Sequence, residues 1–296
     1  MTYLRLMKYP GAKTTLIPEI RNVLRNSNQH FLLDVFGGSG LVALNLHARR
    51  TVYNDIEGEL VNIFRVIQER PDSLYRMLEN LLKSTGQNRG RLTKEFSGSF
   101  THNGVMNTVE NGILSKKEKY RMNDAHQLQK KDQRESSEKM SREKSAYLSL
   151  YRFSTSFGGM GNTYATANEK STFRYISKTF DEFPRIAETV KKWKIENMDF
   201  RELISKYDSR DAFFYLDPPY PGKGWYNHNF DVGDFKDLRT ILDSLKGKYL
   251  MNLNAEDANL AQIFGKPTFV KSYLNQNGGQ IAKPGSLRIK AFYTNV

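Results

Sequence analysis

The hydrophobic positions of this chain fall into two patterns, short continuous runs and longer stretches with helical spacing. The continuous runs are rich in β-branched and aromatic residues, which is typical of strands buried on both faces of a sheet. They predict strands at residues 31–36, 51–55, 194–198, 211–216 and 248–252, and a terminal strand pair at 268–274 and 287–294.

Between these runs, apolar residues recur with the spacing of one helix face. We expect Thr14 or Thr15 to cap the first helix, Pro71 to end the third, and Asp72 or Ser73 to begin the fourth. The alternation of helices with buried strands predicts an α/β domain. The predicted helices cover residues 16–24, 41–46, 60–67, 74–81, 183–193, 235–245 and 255–264.

Residues 87–145 break this alternation, because they are polar, carry mixed charges and include few large apolar side chains. Such a composition predicts an insertion outside the core, and both exposed helices and a mobile segment are compatible with it. A solvated charged surface is the usual role of such a stretch. Its excess of basic residues makes phosphate contact a second role.

The charge of the chain narrows the class of partner. The 296 residues carry a formal net charge of +13 with a pI near 9.6, which favours a polyanion such as nucleic acid over an anionic membrane surface. No cysteine is present, so disulfides, thiolate metal sites and a cysteine nucleophile are excluded. The five histidines lack metal-ligand spacing and no apolar run is long enough to span a bilayer, so we expect no bound metal, no membrane partner and a cytoplasmic location.

Glycines follow the first predicted strand at Gly37, Gly38 and Gly40, directly before a predicted helix. A strand, a glycine turn and a helix N-terminus together let a ligand approach the backbone closely, although a simple tight connection has the same composition. Asp55 ends the next strand, where a carboxylate is placed to accept hydrogen bonds from ribose hydroxyls. The alternative is that Asp55 only caps the following helix.

The segment Asp217-Pro218-Pro219-Tyr220 follows the apolar run at 211–216. If that run is a buried parallel strand, the segment lies in the crevice where α/β sheets bind ligands. The Asp217 carboxylate and the Pro218 carbonyl are two acceptors without competing backbone donors, and Tyr220 adds a ring face. This combination suits an exocyclic amino group on a flat heterocycle, whereas the alternative is an ordinary proline turn.

A glycine-rich stretch with aromatic and short polar side chains lies earlier in the chain, at residues 153–164. Such a turn can enter a groove of nucleic acid and read base edges, although an ordinary hairpin has a similar composition. The candidate DNA contacts are Arg152, Phe157 and Asn162 here, and Lys13 near the N-terminus.

Taken in order, these motifs resemble the Dam-type, or D12 class, adenine-N6 DNA methyltransferases. The resemblance rests on residues 8–13, 34–40, 54–55, 199–200 and 217–220, and on the ending at 291–295. It implies a Rossmann-like fold with a mixed, mostly parallel seven-stranded sheet flanked by helices. Residues 1–85 and 177–296 would form the catalytic domain, and residues 86–176 an inserted, mainly helical target-recognition domain.

The resemblance also implies an activity, the transfer of a methyl group from S-adenosylmethionine to N6 of an adenine flipped out of double-stranded DNA, with S-adenosylhomocysteine as product. A bacterial or phage-encoded monomer or weak dimer is expected. An RNA adenine methyltransferase, a DNA cytosine-N4 methyltransferase and a non-catalytic DNA-binding relative are the alternatives.

Site residues follow from the same resemblance. Asp217, Pro218, Pro219 and Tyr220 would hold the flipped base. Tyr9 stands where the family often has tryptophan, and the family's usual recognition-hairpin residues do not match residues 153–164 closely. The residues expected to contact the cofactor are Tyr9, Lys13, Phe36, Gly38, Ser39, Gly40, Asp55, Asp199, Phe200 and Asp217.

Overall fold

The computed structural model describes residues 3–11, 14–84, 140–156, 169–219, 230–255, 257–274 and 287–296. Seven strands form one sheet in the order β3-β2-β1-β4-β5-β7-β6. Neighbours from β3 to β5 are parallel, and β7 runs antiparallel to both β5 and β6. The strands are β1 (Phe31–Asp34), β2 (Arg50–Asn54), β3 (Trp193–Glu196), β4 (Ala212–Leu216), β5 (Lys248–Asn254), β6 (Phe269–Leu274) and β7 (Leu287–Thr294).

Helices cover both faces of this sheet, which confirms the predicted mixed, mostly parallel, Rossmann-like α/β fold. The described helices are α1 (Ile17–Asn26), α2 (Leu41–Asn45), α3 (Gly58–Glu69), α4 (Pro71–Ser84), α5 (Arg142–Thr155), α6 (Glu169–Val190), α7 (Phe200–Tyr207), α8 (Val232–Asp243) and α9 (Ala258–Phe264).

The strand register divides the core between the two faces. Leu33 and Phe214 point to the side where α7, α8 and α9 pack. Leu32 and Phe213 point to the opposite side, which α1 and α2 cover. Because side chains alternate along a strand, Asp34 and Tyr215 share that second face and lie at its carboxyl edge.

Several predicted boundaries were wrong at helix ends. Neither Thr14 nor Thr15 caps α1, because residues Thr14–Leu16 form a 3-10 turn and Leu16 occupies the N-cap without a side-chain hydrogen bond. Helix α3 does end before Pro71, but Pro71 itself is the first residue of α4, ahead of Asp72 and Ser73. A proline is tolerated there because the first helical N–H has no partner within the helix.

The predictions were further from the structure for two helices, α6 and α7. Helix α6 begins at Glu169 and continues through Pro184, whereas its predicted start was residue 183. The short helix α7 was not predicted, and the side chain of Asp199 caps it by accepting from the Arg201 N–H at 2.9 Å. A proline near a helix start favours a boundary in the sequence pattern, but the buried face of α6 begins earlier, at Ile176 and Phe180.

Helix α5 lies inside the segment predicted for target recognition, and it packs on α3 and α4. Its side chains Ala146, Leu150 and Phe153 are buried in the same core as Phe64 of α3. The division of the chain at residue 86 and residue 176 stays a prediction. Within it, α5 and the start of α6 contribute to the core that supports the sheet.

Candidate active site

A cavity of about 670 Å³, including its open mouth, lies at the carboxyl ends of β1, β2 and β4. Parallel sheets bind ligands at this edge. The cavity brings together several of the predicted site residues, namely Tyr9, Phe36, Gly38, Ser39, Asp55, Asp217 and Pro219.

The glycine turn forms one wall, and its conformation requires glycine. Gly38 and Gly40 have φ angles of +52° and +68°, in the left-handed region that favours glycine. A Cβ atom on Gly40 would lie 2.5 Å from the Phe64 ring, and one on Gly38 would lie 3.0 Å from the Tyr9 ring. The turn is therefore fixed from behind by Phe64 and faces Tyr9 across a narrow gap.

Asp55 ties this turn to β2. Its carboxylate is buried, and it accepts from the Gly38 N–H at 2.7 Å and from the Glu57 N–H at 2.9 Å. The Tyr53 hydroxyl also donates to the Gly38 carbonyl oxygen at 2.7 Å. Helix α3 has Glu57 at its N-cap, so Asp55 supports the turn and the approach to α3 instead of occupying the cap itself.

Asp34 is a cavity residue that the sequence reasoning did not select. It is the last residue of β1, only 1% exposed, and it accepts from the Ala43 N–H at 3.2 Å. Its position in the sequence could have identified it as a candidate, because burying an acid inside an otherwise apolar strand is costly unless the acid has a specific partner or function.

Burial raises the pKa of Asp34 well above its ordinary value of 3.8, the Ala43 hydrogen bond opposes this, and the charges of Asp217 and Asp55 raise it further. With Glu57, these four acids line a cavity that has no basic side chain among its described lining residues. Such a cavity favours a cationic ligand.

Replacing Asp34 by asparagine is expected to stabilise the ligand-free protein at neutral pH. A carboxyl whose pKa is raised by folding binds its proton more tightly in the folded state, so its contribution to stability falls as pH rises through that pKa. The asparagine has no such loss and still accepts from Ala43. The melting temperature of Asp34→Asn minus that of wild type should therefore grow as pH increases from about 4 to about 8.

A difference in melting temperature that is constant with pH would contradict this prediction. Asp243→Asn is a suitable control, because Asp243 is exposed on α8 and pairs only at the surface with Arg239.

Asp217 follows β4 and lines the same cavity as Asp55. Its Oδ1 atom accepts from the Nδ2 group of Asn252, at 2.7 Å. Pro218 is buried and Pro219 lines the cavity. Tyr220 lies outside the described residues.

Asp199 and Phe200 lie beside the cavity and not among its lining residues. The Phe200 ring contacts the Phe36 ring with centroids 5.7 Å apart. The Asp199 carboxylate accepts from the Arg201 guanidinium at 3.2 Å, and Arg201 also binds Asp234 at 2.5 Å. The predicted contact of Asp199 with the cofactor stays a prediction, and the carboxylate is already held by α7.

Of the four candidate DNA contacts, Arg152 is the one that lies among the described residues. Arg152 of α5 is mostly buried and its guanidinium pairs with Glu59 of α3, so in this structure its charge joins two helices. A DNA contact from Arg152 stays a prediction. Lys13, Phe157 and Asn162 lie outside the described residues.

Across the described parts of the chain, no helix is long and apolar enough to cross a membrane. Within the same residues, no group of three or more histidine or acidic side chains is arranged to hold a metal ion.

Comparison with known proteins finds similarity to a curated methyltransferase and to a protein family. The type II methyltransferase M1.LlaDCHI of Lactococcus lactis subsp. cremoris is 32% identical over 73 residues, a match that covers 25% of this chain and 25% of that relative. The family described as D12 class N6 adenine-specific DNA methyltransferase matches residues 9–275. That match includes the glycine turn, Asp55 and the Asp217 segment, and it shows that the chain belongs to the D12 class of N6 adenine-specific DNA methyltransferases.

Proposed function

We propose that this protein transfers a methyl group from S-adenosylmethionine to N6 of an adenine in double-stranded DNA, at a specific sequence. The observation that carries the proposal is the placement of the Asp217 carboxylate in the same cavity as the glycine turn and Asp55. An acceptor for an amino group thus lies beside a nucleoside-type site.

The cavity residues fit the cofactor. Because Gly38 has no side chain, its backbone stays accessible to a ligand, whereas a Cβ atom there would crowd the Tyr9 ring. Asp55 is a carboxylate at the end of β2, the position at which related sheets hold ribose hydroxyls. When bound, S-adenosylmethionine supplies an electrophilic methyl group on a positively charged sulfur. Asp34 and Asp217 would offset that charge and the charge of the ammonium group.

The residues of the chain would act by orientation. Taking an adenine out of the duplex costs a few kcal/mol in lost base pairing and base stacking. Stacking of the flipped base on Tyr220 would offset that cost. The Asp217 carboxylate and the Pro218 carbonyl would accept from the N6 amino group and draw its lone pair out of conjugation with the ring. Alignment and electrostatics would then provide most of the acceleration, without a covalent intermediate on the protein.

The net charge of +13 supports a polyanionic substrate. Double-stranded DNA is favoured over RNA because the family consists of DNA methyltransferases that are specific for adenine. No metal takes part in the proposed chemistry.

Incubation of the full chain with labelled S-adenosylmethionine and plasmid DNA tests the proposal. We expect label on N6 of adenine within one recognition sequence, and little transfer to structured RNA supplied in competition. Label on cytosine N4, preferential labelling of RNA, or no transfer despite bound cofactor would each overturn it.

A further inference from the structure

Asn252 is a fully buried polar residue of β5 that lies next to the carboxyl end of β4. The parallel register pairs Tyr215 with Leu250 and Leu216 with Met251. One step further along, Asp217 and Asn252 come opposite each other on the face that carries Tyr215. The sheet itself therefore brings the amide to the carboxylate.

The contact between them has a defined direction. Asn252 Nδ2 donates to Asp217 Oδ1 at 2.7 Å and reaches the Tyr215 hydroxyl at 3.4 Å. An ionised carboxylate can only accept, so the nitrogen side of the amide must face Asp217. The distance is at the short end of the range for N–H···O hydrogen bonds.

The side-chain oxygen of Asn252 indicates that this asparagine does not serve to stabilise the fold. Within the described part of the chain, the buried Oδ1 of Asn252 has no hydrogen-bond partner. A buried acceptor without a donor destabilises the folded state, and an apolar side chain of similar size would avoid that cost. Phe292 and Leu250, which flank this position on the same face, are apolar.

We propose that Asn252 is a positioning residue, which fixes the Asp217 carboxylate by occupying Oδ1 so that Oδ2 is aimed at the amino group to be methylated. This inference rests on the proposed function. Without the amide, the carboxylate rotates more freely about its last bond, and the acceptor geometry at the reacting nitrogen is lost in most orientations. The effect falls on the chemical step, because Asn252 is fully buried and is not among the described residues that line the cavity.

The first variant to measure is Asn252→Leu in the full chain. We expect kcat to fall roughly 10- to 100-fold, the range for loss of one charge-assisted hydrogen bond of about 1.5–3 kcal/mol. KM for S-adenosylmethionine and for DNA should stay within about twofold, because binding does not use this bond. The melting temperature should be unchanged or higher, since the orphaned Oδ1 is removed.

Asn295→Ala is the matched control. This asparagine binds the Tyr249 N–H at 2.8 Å and the Gly247 carbonyl oxygen at 3.0 Å, at the far end of β5 from Asp217. Its loss is expected to lower the melting temperature and to leave kcat unchanged.

The second variant, Asn252→Asp, separates hydrogen-bond donation from packing. Two facing carboxyls hold one proton between them, so the protonated form restores an O–H donor to Asp217 as pH falls. The ratio of its kcat to that of wild type should therefore rise from about pH 9 to about pH 6, whereas the ratio for Asn252→Leu should stay flat. The ionisable groups on this face are Asp217, the Tyr215 hydroxyl, Lys290 of β7 and Asp34 of β1, and Asp55 lines the same cavity.

The inference is overturned if Asn252→Leu keeps wild-type kcat, if its kcat falls only together with its melting temperature, or if the Asn252→Asp ratio does not depend on pH. Asp217→Ala identifies failure of the proposed function. If that variant still transfers methyl groups, the proposed function itself fails. An inactive Asp217→Ala beside a fully active Asn252→Leu overturns only the role of Asn252.

Discussion

Replacing Asp217 by alanine is expected to reduce methyl transfer by roughly 10²–10³-fold or below detection, while most of the DNA affinity remains. Loss of one preorganised polar group at a reacting atom typically costs this much in kcat. The fold should persist, because the main new defect is the Asn252 amide that loses its acceptor at 2.7 Å. Transfer of label from S-adenosylmethionine to DNA, with DNA affinity measured in parallel, checks the prediction.

Asp243→Ala serves as its control, because Asp243 is an exposed aspartate of α8 whose partner is the neighbouring Arg239. It should have wild-type activity. Near-normal turnover of Asp217→Ala would sink the assignment of the Asp217 segment as the catalytic element.

The second large effect is expected for Asp55→Ala, which should weaken S-adenosylmethionine binding by roughly 10²-fold. Two hydrogen bonds from ribose hydroxyls to a carboxylate contribute about 3 kcal/mol together, and that energy corresponds to this factor. The same carboxylate also accepts from the Gly38 N–H, so the cavity wall loses an anchor as well. Calorimetric titration with the cofactor gives the affinity directly.

Two variants separate these contributions. Asp55→Asn keeps an amide oxygen for the backbone and should show an intermediate loss of affinity. Asp208→Ala removes a carboxylate that likewise accepts two backbone N–H groups, those of Lys246 and Gly247 at 3.0 Å, but at the other end of the sheet. It should lower stability without changing affinity, and unchanged affinity in Asp55→Ala would contradict the ribose role.

The alternation of strands and helices was readable from the sequence, because a strand buried on both faces needs a continuous apolar run. Each predicted strand is present, and every predicted strand end lies within two residues of the observed one; β1, for example, stops at Asp34 instead of residue 36. Helix boundaries were less predictable. The start of α6 and the whole of α7 depend on partners elsewhere in the chain, and α6 continues through Pro184 because its buried face begins earlier, at Ile176.

The order of motifs at strand ends determined the candidate site. Because parallel strands place their carboxyl ends at one edge, the glycine turn, Asp55 and Asp217 had to converge if the sheet formed, and they do share one cavity. Tyr9, which is remote in sequence from Gly38, also reaches this cavity, as the family resemblance implied.

What the sequence by itself determined is the strand pattern, the family and the residues at the strand ends, since these depend on local order along the chain. Only the tertiary structure decided that Asp34 joins the cavity, that Arg152 pairs with Glu59, and that Asn252 holds Asp217. Each of these is a contact between segments far apart in sequence. The physical reason is register: which side chains meet depends on how neighbouring strands and helices are aligned, and no single segment encodes that alignment.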